Sequence, residues 1–247
     1  MHLATDFGPG SPRVLCLVTS VGLLSVAAPA SAEWFADLYA GVAYTPKSDV
    51  TLVVRPPSGP ADHTFQNVKW TTSATLGGRV GYWFEARPWI GLGLDVFHFN
   101  ADIPTQTVSA TILGLTAPAT LRAIDVSVTA VGLDLLQLRY PFQASPEFPN
   151  GRFQPYLTAG PTLFWTRAAN KGNPELSTQA ATDSSVGLGA GAGVSWMVGR
   201  SAALFAEYRY THVNTEPVLN SALSTLRVPM QFDLSTHHLL AGISYRF

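Results

Sequence analysis

The last nine residues of the chain alternate between apolar and polar or small side chains. The odd positions hold Leu239, Ala241, Ile243, Tyr245 and Phe247, and the even positions between them hold Leu240, Gly242, Ser244 and Arg246. Apart from Leu240, this is the period-two pattern of a β-strand, whose successive side chains point to opposite faces of a sheet. The apolar face meets either lipid, as in a membrane barrel, or a protein core.

Seven further segments alternate in the same way and predict seven more strands. They lie at residues 34–44, 70–84, 89–100, 123–140, 154–165, 184–198 and 204–211. The four long stretches between strands contain proline, which cannot donate to a sheet ladder, so we predict them as loops at residues 45–69, 101–122, 167–183 and 213–234. Long and short connections alternate, which places all the long loops on one side of an up-and-down sheet.

The fourth segment loses its phase between Gly132 and Leu136. Before that point Val126, Val128 and Ala130 form its apolar face. A β-bulge would restore the alternation. The direction of the Asp134 side chain stays open at this point.

Aromatic side chains concentrate near the ends of the predicted strands. The tryptophans divide into Trp34, Trp83, Trp89 and Trp196 at the short-turn end and Trp70 and Trp165 at the long-loop end, where we also place Tyr44, Phe97, Tyr208 and Tyr210. Two such girdles flanking an apolar band are typical of membrane barrels.

The composition supports a membrane protein and gives no support to a nucleic-acid-binding one. Only 13% of the residues are charged, against roughly 25% in average soluble domains. The formal net charge is −1, so no basic surface is expected.

The first 32 residues predict an export signal peptide. Arg13 precedes an apolar stretch at residues 14–28, and the small residues Ala30 and Ala32 provide a cleavage site. The only cysteine, Cys16, lies in this segment, which leaves residues 33–247 without a disulfide.

A secreted soluble barrel of the lipocalin type is the main competing fold, because its apolar face would point inward. Repeated glycines on the polar face, such as Gly187, Gly189 and Gly191, favour a narrow filled lumen over a solvent-exposed surface.

Several segments resemble the outer-membrane β-barrel family related to the transmembrane domain of outer membrane protein A. They are residues 132–142, 153–161, 205–212 and 242–247, the last reading Gly-Ile-Ser-Tyr-Arg-Phe. The resemblance implies an all-β, eight-stranded antiparallel up-and-down transmembrane β-barrel at residues 33–247, in the outer membrane of a Gram-negative cell. It also implies that Ile243, Tyr245 and Phe247 form a signal that is read by the barrel assembly machinery.

Charged side chains of both signs fall on the predicted lumen face: Asp37, Arg79, Asp95, Arg139, Glu207, Arg209 and Arg246. Charges enclosed in a narrow barrel must pair, because their desolvation is costly. We therefore predict an ion-pair network that fills the lumen, and a gated ion pathway is the alternative reading.

The sequence predicts a monomer that contacts outer-membrane lipid, has a structural and surface-interaction role, and offers its long loops to an extracellular ligand. We expect no catalytic residues, cofactor or metal. The first alternative is a small pore or hydrophobic-solute conduit. The second is an outer-leaflet lipid-modifying enzyme, for which His212, His237, His238, Ser235 and Glu216 are the candidate groups.

Overall fold

The computed structural model describes residues 33–53, 62–171, 180–220 and 227–247, and the predicted signal peptide at residues 1–32 lies outside them. The strands are β1 (Glu33–Tyr44), β2 (Ser48–Leu52), β3 (His63–Val68), β4 (Ser73–Phe84), β5 (Arg87–Asn100), β6 (Gln106–Ile112), β7 (Leu115–Leu121), β8 (Ile124–Arg139), β9 (Phe153–Asn170), β10 (Ala181–Met197), β11 (Ala202–Thr215), β12 (Val218–Asn220) and β13 (Arg227–Arg246). No helix in these ranges is long and apolar enough to cross a membrane.

Eight of the strands close into a barrel. The order of hydrogen-bonded neighbours is β1, β4, β5, β8, β9, β10, β11 and β13, and β13 pairs back onto β1. Every pairing is antiparallel, and the closing one places Leu38 opposite Ile243. The predicted eight-stranded antiparallel barrel is confirmed.

The prediction that the long stretches lack strands was wrong. Strands β2, β3, β6 and β7 lie in these stretches. They extend the sheet from residues 230–232 of β13, at the long-loop end of the barrel. Pro118 lies inside β7, which pairs on one side with β6, and no second partner strand occurs among the described residues. Proline is tolerated in such an edge strand because its missing N–H is not needed for a second ladder.

The apolar face of the barrel strands changes sides partway along the barrel. Toward the short turns, apolar side chains such as Leu94 point outward and polar ones inward, as lipid requires. Toward the long loops, Phe99 and Val128 are buried inside, while Asn100 and Thr129 point outward. Near the short turns, the outer surface of the barrel is therefore apolar and faces lipid. Near the long loops, the apolar side chains point inward, as in a soluble barrel.

This reversal overturns two interpretations of the sequence. Val126, Val128 and Ala130 point into the barrel instead of outward, and Phe97 is an interior residue instead of a member of the outer girdle. The bulge predicted in β8 is present between Gly132 and Leu136. Leu135 and Leu136 both point outward there. The inward side chains are therefore Val126, Val128 and Ala130 before the bulge, and Gln137 and Arg139 after it.

The aromatic girdles contain fewer tryptophans than expected. Trp34, Trp89, Trp165 and Trp196 are exposed on the barrel wall. In contrast, Trp83 points into the lumen, and Trp70 is buried outside the barrel band, with its ring 5.2 Å from that of Phe232. The remaining exposed aromatic side chains at the short-turn end include Tyr140, Phe142, Tyr245 and Phe247.

Gly160 allows two strands to approach closely beside the β8 bulge. A Cβ atom on Gly160 would lie 1.8 Å from the Leu133 carbonyl oxygen. We expect Gly160→Ala to lower the free energy of unfolding by about 1–3 kcal/mol, the usual range for overpacking. Urea unfolding of the barrel in lipid vesicles measures this change. Gly199→Ala is the matched control, since a Cβ atom there meets nothing within 4 Å, and an equal effect of both substitutions would contradict the prediction.

Candidate functional site in the barrel lumen

The centre of the lumen contains a cluster of charged side chains organised around Arg79 of β4. Its guanidinium lies 2.6 Å from Glu207 of β11, 3.2 Å from Asp37 of β1 and 3.5 Å from Asp134 of β8. The Arg79 side chain is 1% exposed. One guanidinium thus links four strands of the barrel wall, and Asp134 points inward.

Arg209 of β11 is the second cation of this central cluster. Its guanidinium lies 2.6 Å from Asp95 and 2.7 Å from Glu207, and its Nη1 donates to the Tyr39 hydroxyl at 2.9 Å. The Tyr39 hydroxyl in turn donates to Asp95. Tyr156 donates to Glu207 over 2.8 Å, so two tyrosines add neutral donors to the carboxylates.

A second cluster lies at the short-turn end and is centred on Glu33. Arg139 and Arg246 lie 2.6 and 2.7 Å from its two carboxylate oxygens. Asn150, in the connection between β8 and β9, donates to Glu33 over 3.0 Å. The Arg139 guanidinium also lies 4.3 Å from the centre of the Trp83 ring. This cluster and the connecting segment lie together at the short-turn end of the lumen.

The two clusters have unequal charge. The central cluster holds four carboxylates, Asp37, Asp95, Asp134 and Glu207, and two guanidiniums, Arg79 and Arg209. The Glu33 cluster holds one carboxylate and two guanidiniums. The central cluster has an excess of carboxylates and the Glu33 cluster an excess of guanidiniums, so the two clusters attract each other and their charges partly compensate.

A small cavity separates the clusters and is lined by polar atoms that have no hydrogen-bond partner in the described structure. These atoms include Asp37 Oδ1, Trp83 Nε1, Gln137 Oε1, Arg139 Nη1 and Gln154 Oε1. The cavity volume of about 20 Å³ is enough for one or two water molecules, which would supply both donors and acceptors.

On the long-loop side of the central cluster, the lumen becomes apolar. Phe97, Phe99 and Phe164 are buried there in contact with one another, together with Leu240. His238 is buried among them, within hydrogen-bond distance of Thr75 at 3.0 Å and Thr211 at 3.2 Å. An ion that crossed the barrel would therefore meet a desolvating layer as well as two charged clusters.

The structure divides the lumen residues named from the sequence between the two clusters. Five of them meet in the central cluster, and Arg139 and Arg246 meet at Glu33. Sequence reasoning missed Glu33, although Glu33 has the same alternation parity as Asp37 and so falls on the same strand face. Tyr39 and Tyr156 also lie on the predicted inward faces of their strands. They were missed because only charged side chains were considered as members of the network.

The residues considered for lipid chemistry do not form a complete catalytic arrangement. His212 Nδ1 lies 2.9 Å from Ser235 Oγ on the outward face. Among the described residues, no carboxylate forms a hydrogen bond with His212 that would orient it as a base. His237 and His238 point to opposite faces, and no group of three potential metal ligands occurs in the described ranges.

An antiparallel barrel with an apolar outer wall, aromatic borders and a charged interior is an integral outer-membrane barrel. The family model described as the outer membrane protein beta-barrel domain matches residues 16–247. This chain therefore belongs to the outer membrane protein beta-barrel domain family, and the resemblance inferred from the sequence is confirmed.

Similar solved structures include OprG from Pseudomonas aeruginosa, with 18% identity, a TM-score of 0.54 and coverage of 88% of this chain and 97% of that chain. Neisserial surface protein A has 17% identity, a TM-score of 0.46 and coverage of 87% and 97%. The outer membrane protease OmpT from Escherichia coli has 12% identity, a TM-score of 0.41 and coverage of 87% and 97%. The likeness to OprG supports the fold alone. Comparison with curated protein sequences gives no significant match.

Proposed function

We propose that this protein is a structural and surface-interaction barrel whose lumen is closed by its ion-pair clusters. The observation that carries the proposal is the sequence of layers in the lumen. The Glu33 cluster, the Arg79 cluster and the Phe97 layer follow one another, and the cavity between the first two is only about 20 Å³. A barrel filled in this way is a scaffold that displays its extracellular sheet.

The proposed cellular setting is the outer membrane of a Gram-negative bacterium, reached through a cleaved signal peptide at residues 1–32. The chain acts there as a monomer, without a cofactor and without enzymatic activity. Its partners are outer-membrane lipid at the barrel wall, the barrel assembly machinery at the C-terminal strand, and an extracellular ligand at the long loops.

Conductance in a planar lipid bilayer tests the closed lumen. We expect the wild-type protein to be silent at all voltages, because its charged groups are paired and its upper lumen is packed. Glu207→Gln removes one carboxylate of the central cluster and serves as the comparison. Steady wild-type conductance that Glu207→Gln alters would contradict the proposal and establish an ion pathway.

A hydrophobic-solute conduit is the second candidate, and the apolar upper lumen favours it. Phe97, Phe99 and Phe164 would have to move to admit a solute. Uptake of a neutral apolar dye into proteoliposomes, with Phe164→Ala as the widened variant, distinguishes the two functions. Uptake by the wild-type protein that rises in Phe164→Ala would favour the conduit, and no uptake by either form would favour the closed scaffold.

A further inference from the structure

The tip of the β6–β7 hairpin carries large apolar side chains that are exposed away from the barrel. Ile112, Leu113 and Leu115 are 37%, 75% and 78% exposed. All other large apolar side chains that are exposed in the described part of the chain lie on the barrel wall or at its short-turn end. Elsewhere in the extracellular sheet, Val50 and Phe65 are buried.

The backbone of the tip is also unusual. Leu113 has a φ of 50° and Gly114 a φ of 80°, and Ile112 pairs with Leu115 on either side of this two-residue turn. Asparagine or glycine normally occupies the first turn position, because a bulky side chain is disfavoured at positive φ. Leu113 is therefore strained and exposed at once, and no contact within the described residues offsets either cost. Such an outlier points to a role outside the chain.

The hairpin carries no charge. Residues 103–121 contain no Asp, Glu, Lys, Arg or His. Hydroxyl groups surround the apolar tip instead, and the Thr111 and Thr116 hydroxyls lie 2.9 Å apart behind it. An apolar point with a neutral, hydroxyl-bearing base matches the polarity gradient from the acyl chains of a bilayer to its headgroups.

The tip points away from the bilayer that the barrel crosses. Ile112 is in register with His63, His63 with Leu52, and Leu52 with Met230. Met230 precedes His237, a member of the outer aromatic row, by seven residues. At about 3.3 Å per residue, the tip stands roughly 20 Å beyond that row along the strand direction.

We propose that Ile112, Leu113 and Leu115 insert into the hydrocarbon of an apposed membrane, independently of lipid charge. The convex tip offers far less than the roughly 800 Å² per partner that a stable protein interface needs, whereas fluid lipid adapts to a small apolar projection. The hairpin itself supplies no charged side chain for attraction to anionic headgroups. This inference rests on the surface display proposed above.

A single-cysteine probe tests the insertion. In the full chain with Cys16→Ser, Thr116→Cys places one thiol beside Leu115 and leaves the three apolar side chains in place. The thiol is labelled on intact cells with a membrane-impermeant, polarity-sensitive fluorophore, and protein-free phosphatidylcholine vesicles are added. We expect the emission to shift to shorter wavelength and to increase, equally with phosphatidylglycerol vesicles and in about 1 M salt, where the Debye length is about 3 Å.

Two variants control this experiment. Leu113→Asn combined with Leu115→Thr removes the apolar tip while keeping a residue that favours positive φ, so the hairpin stays folded and the shift should disappear. Thr120→Cys labels the same face of β7 nearer its base and should give no shift. Heat-modifiable gel migration establishes that each labelled barrel is folded.

The possible failures can be told apart. Failure of the impermeant label to react would overturn both the surface display and the insertion. Labelling without a lipid-dependent shift would overturn the insertion alone and leave the proposed function standing. A shift that requires anionic lipid or disappears in salt would replace insertion by electrostatic attraction. A shift seen only with protein-bearing membranes would assign the tip to a protein partner.

Discussion

Arg79→Met should lower the free energy of unfolding of the barrel by about 3–5 kcal/mol, as expected when one partner is removed from a buried ion pair. The substitution leaves Asp37, Asp134 and Glu207 without the cation that links them. Urea unfolding in lipid vesicles, followed by tryptophan fluorescence, measures the loss.

The matched control for Arg79→Met is Lys171→Met. Lys171 pairs with Asp125 at 3.0 Å, but its side chain is 66% exposed, so its removal should change stability little. Arg79→Lys should recover only part of the loss, because one ammonium group lacks the forked geometry that reaches three carboxylates. A loss in Arg79→Met no larger than in Lys171→Met would mean that the central cluster does not hold the barrel together.

Deletion of Phe247 should sharply reduce the amount of protein that reaches the outer membrane. The barrels that do assemble should keep their normal properties. Phe247 directly follows β13, the strand that closes the barrel. Its N–H donates to the Trp34 carbonyl at 3.0 Å, and its ring lies 5.0 Å from that of Tyr245. The proposed reason is recognition of the terminal aromatic by the assembly machinery. Membrane fractionation and heat-modifiable migration measure the result.

Trp196→Ala separates recognition from a general loss of interfacial aromatics. Trp196 is 56% exposed at the same end of the barrel, compared with 49% for Phe247, but it is not at the C-terminus. We expect the Trp196 variant to reach the membrane in near-normal amounts. Normal assembly without Phe247, or equal losses in both variants, would count against an assembly signal.

The barrel strands were predictable because alternation is strong where one face meets lipid. In β10, the apolar side chains from Val186 to Trp196 alternate with glycines and other small residues, and a one-residue slip would turn every apolar side chain into the lumen. In β8, the same alternation gave the wrong face for Val126 and Val128, because period two identifies two faces without saying which one points inward.

The lumen residues were predictable as a set, but their partners were not. Asp37 and Arg79 each lie on the strand face opposite the continuously apolar one, and this can be read from the sequence. The division into a central cluster and a Glu33 cluster depends on strand register, which sets Asp37 opposite Arg79 and Arg79 opposite Asp95. Register between strands arises from the closed sheet and not from any one strand.

The sequence by itself determined that this chain forms eight alternating barrel strands, because periodicity is a local property. Only the tertiary structure decided where the apolar face changes sides. The position of this change depends on how far each strand extends beyond the lipid. Beyond the lipid, water surrounds the outside of the barrel, and apolar side chains instead of ion pairs fill its interior. The same extension turned predicted loops into a sheet beyond the lipid-facing band and placed Leu113 and Leu115 at its exposed tip.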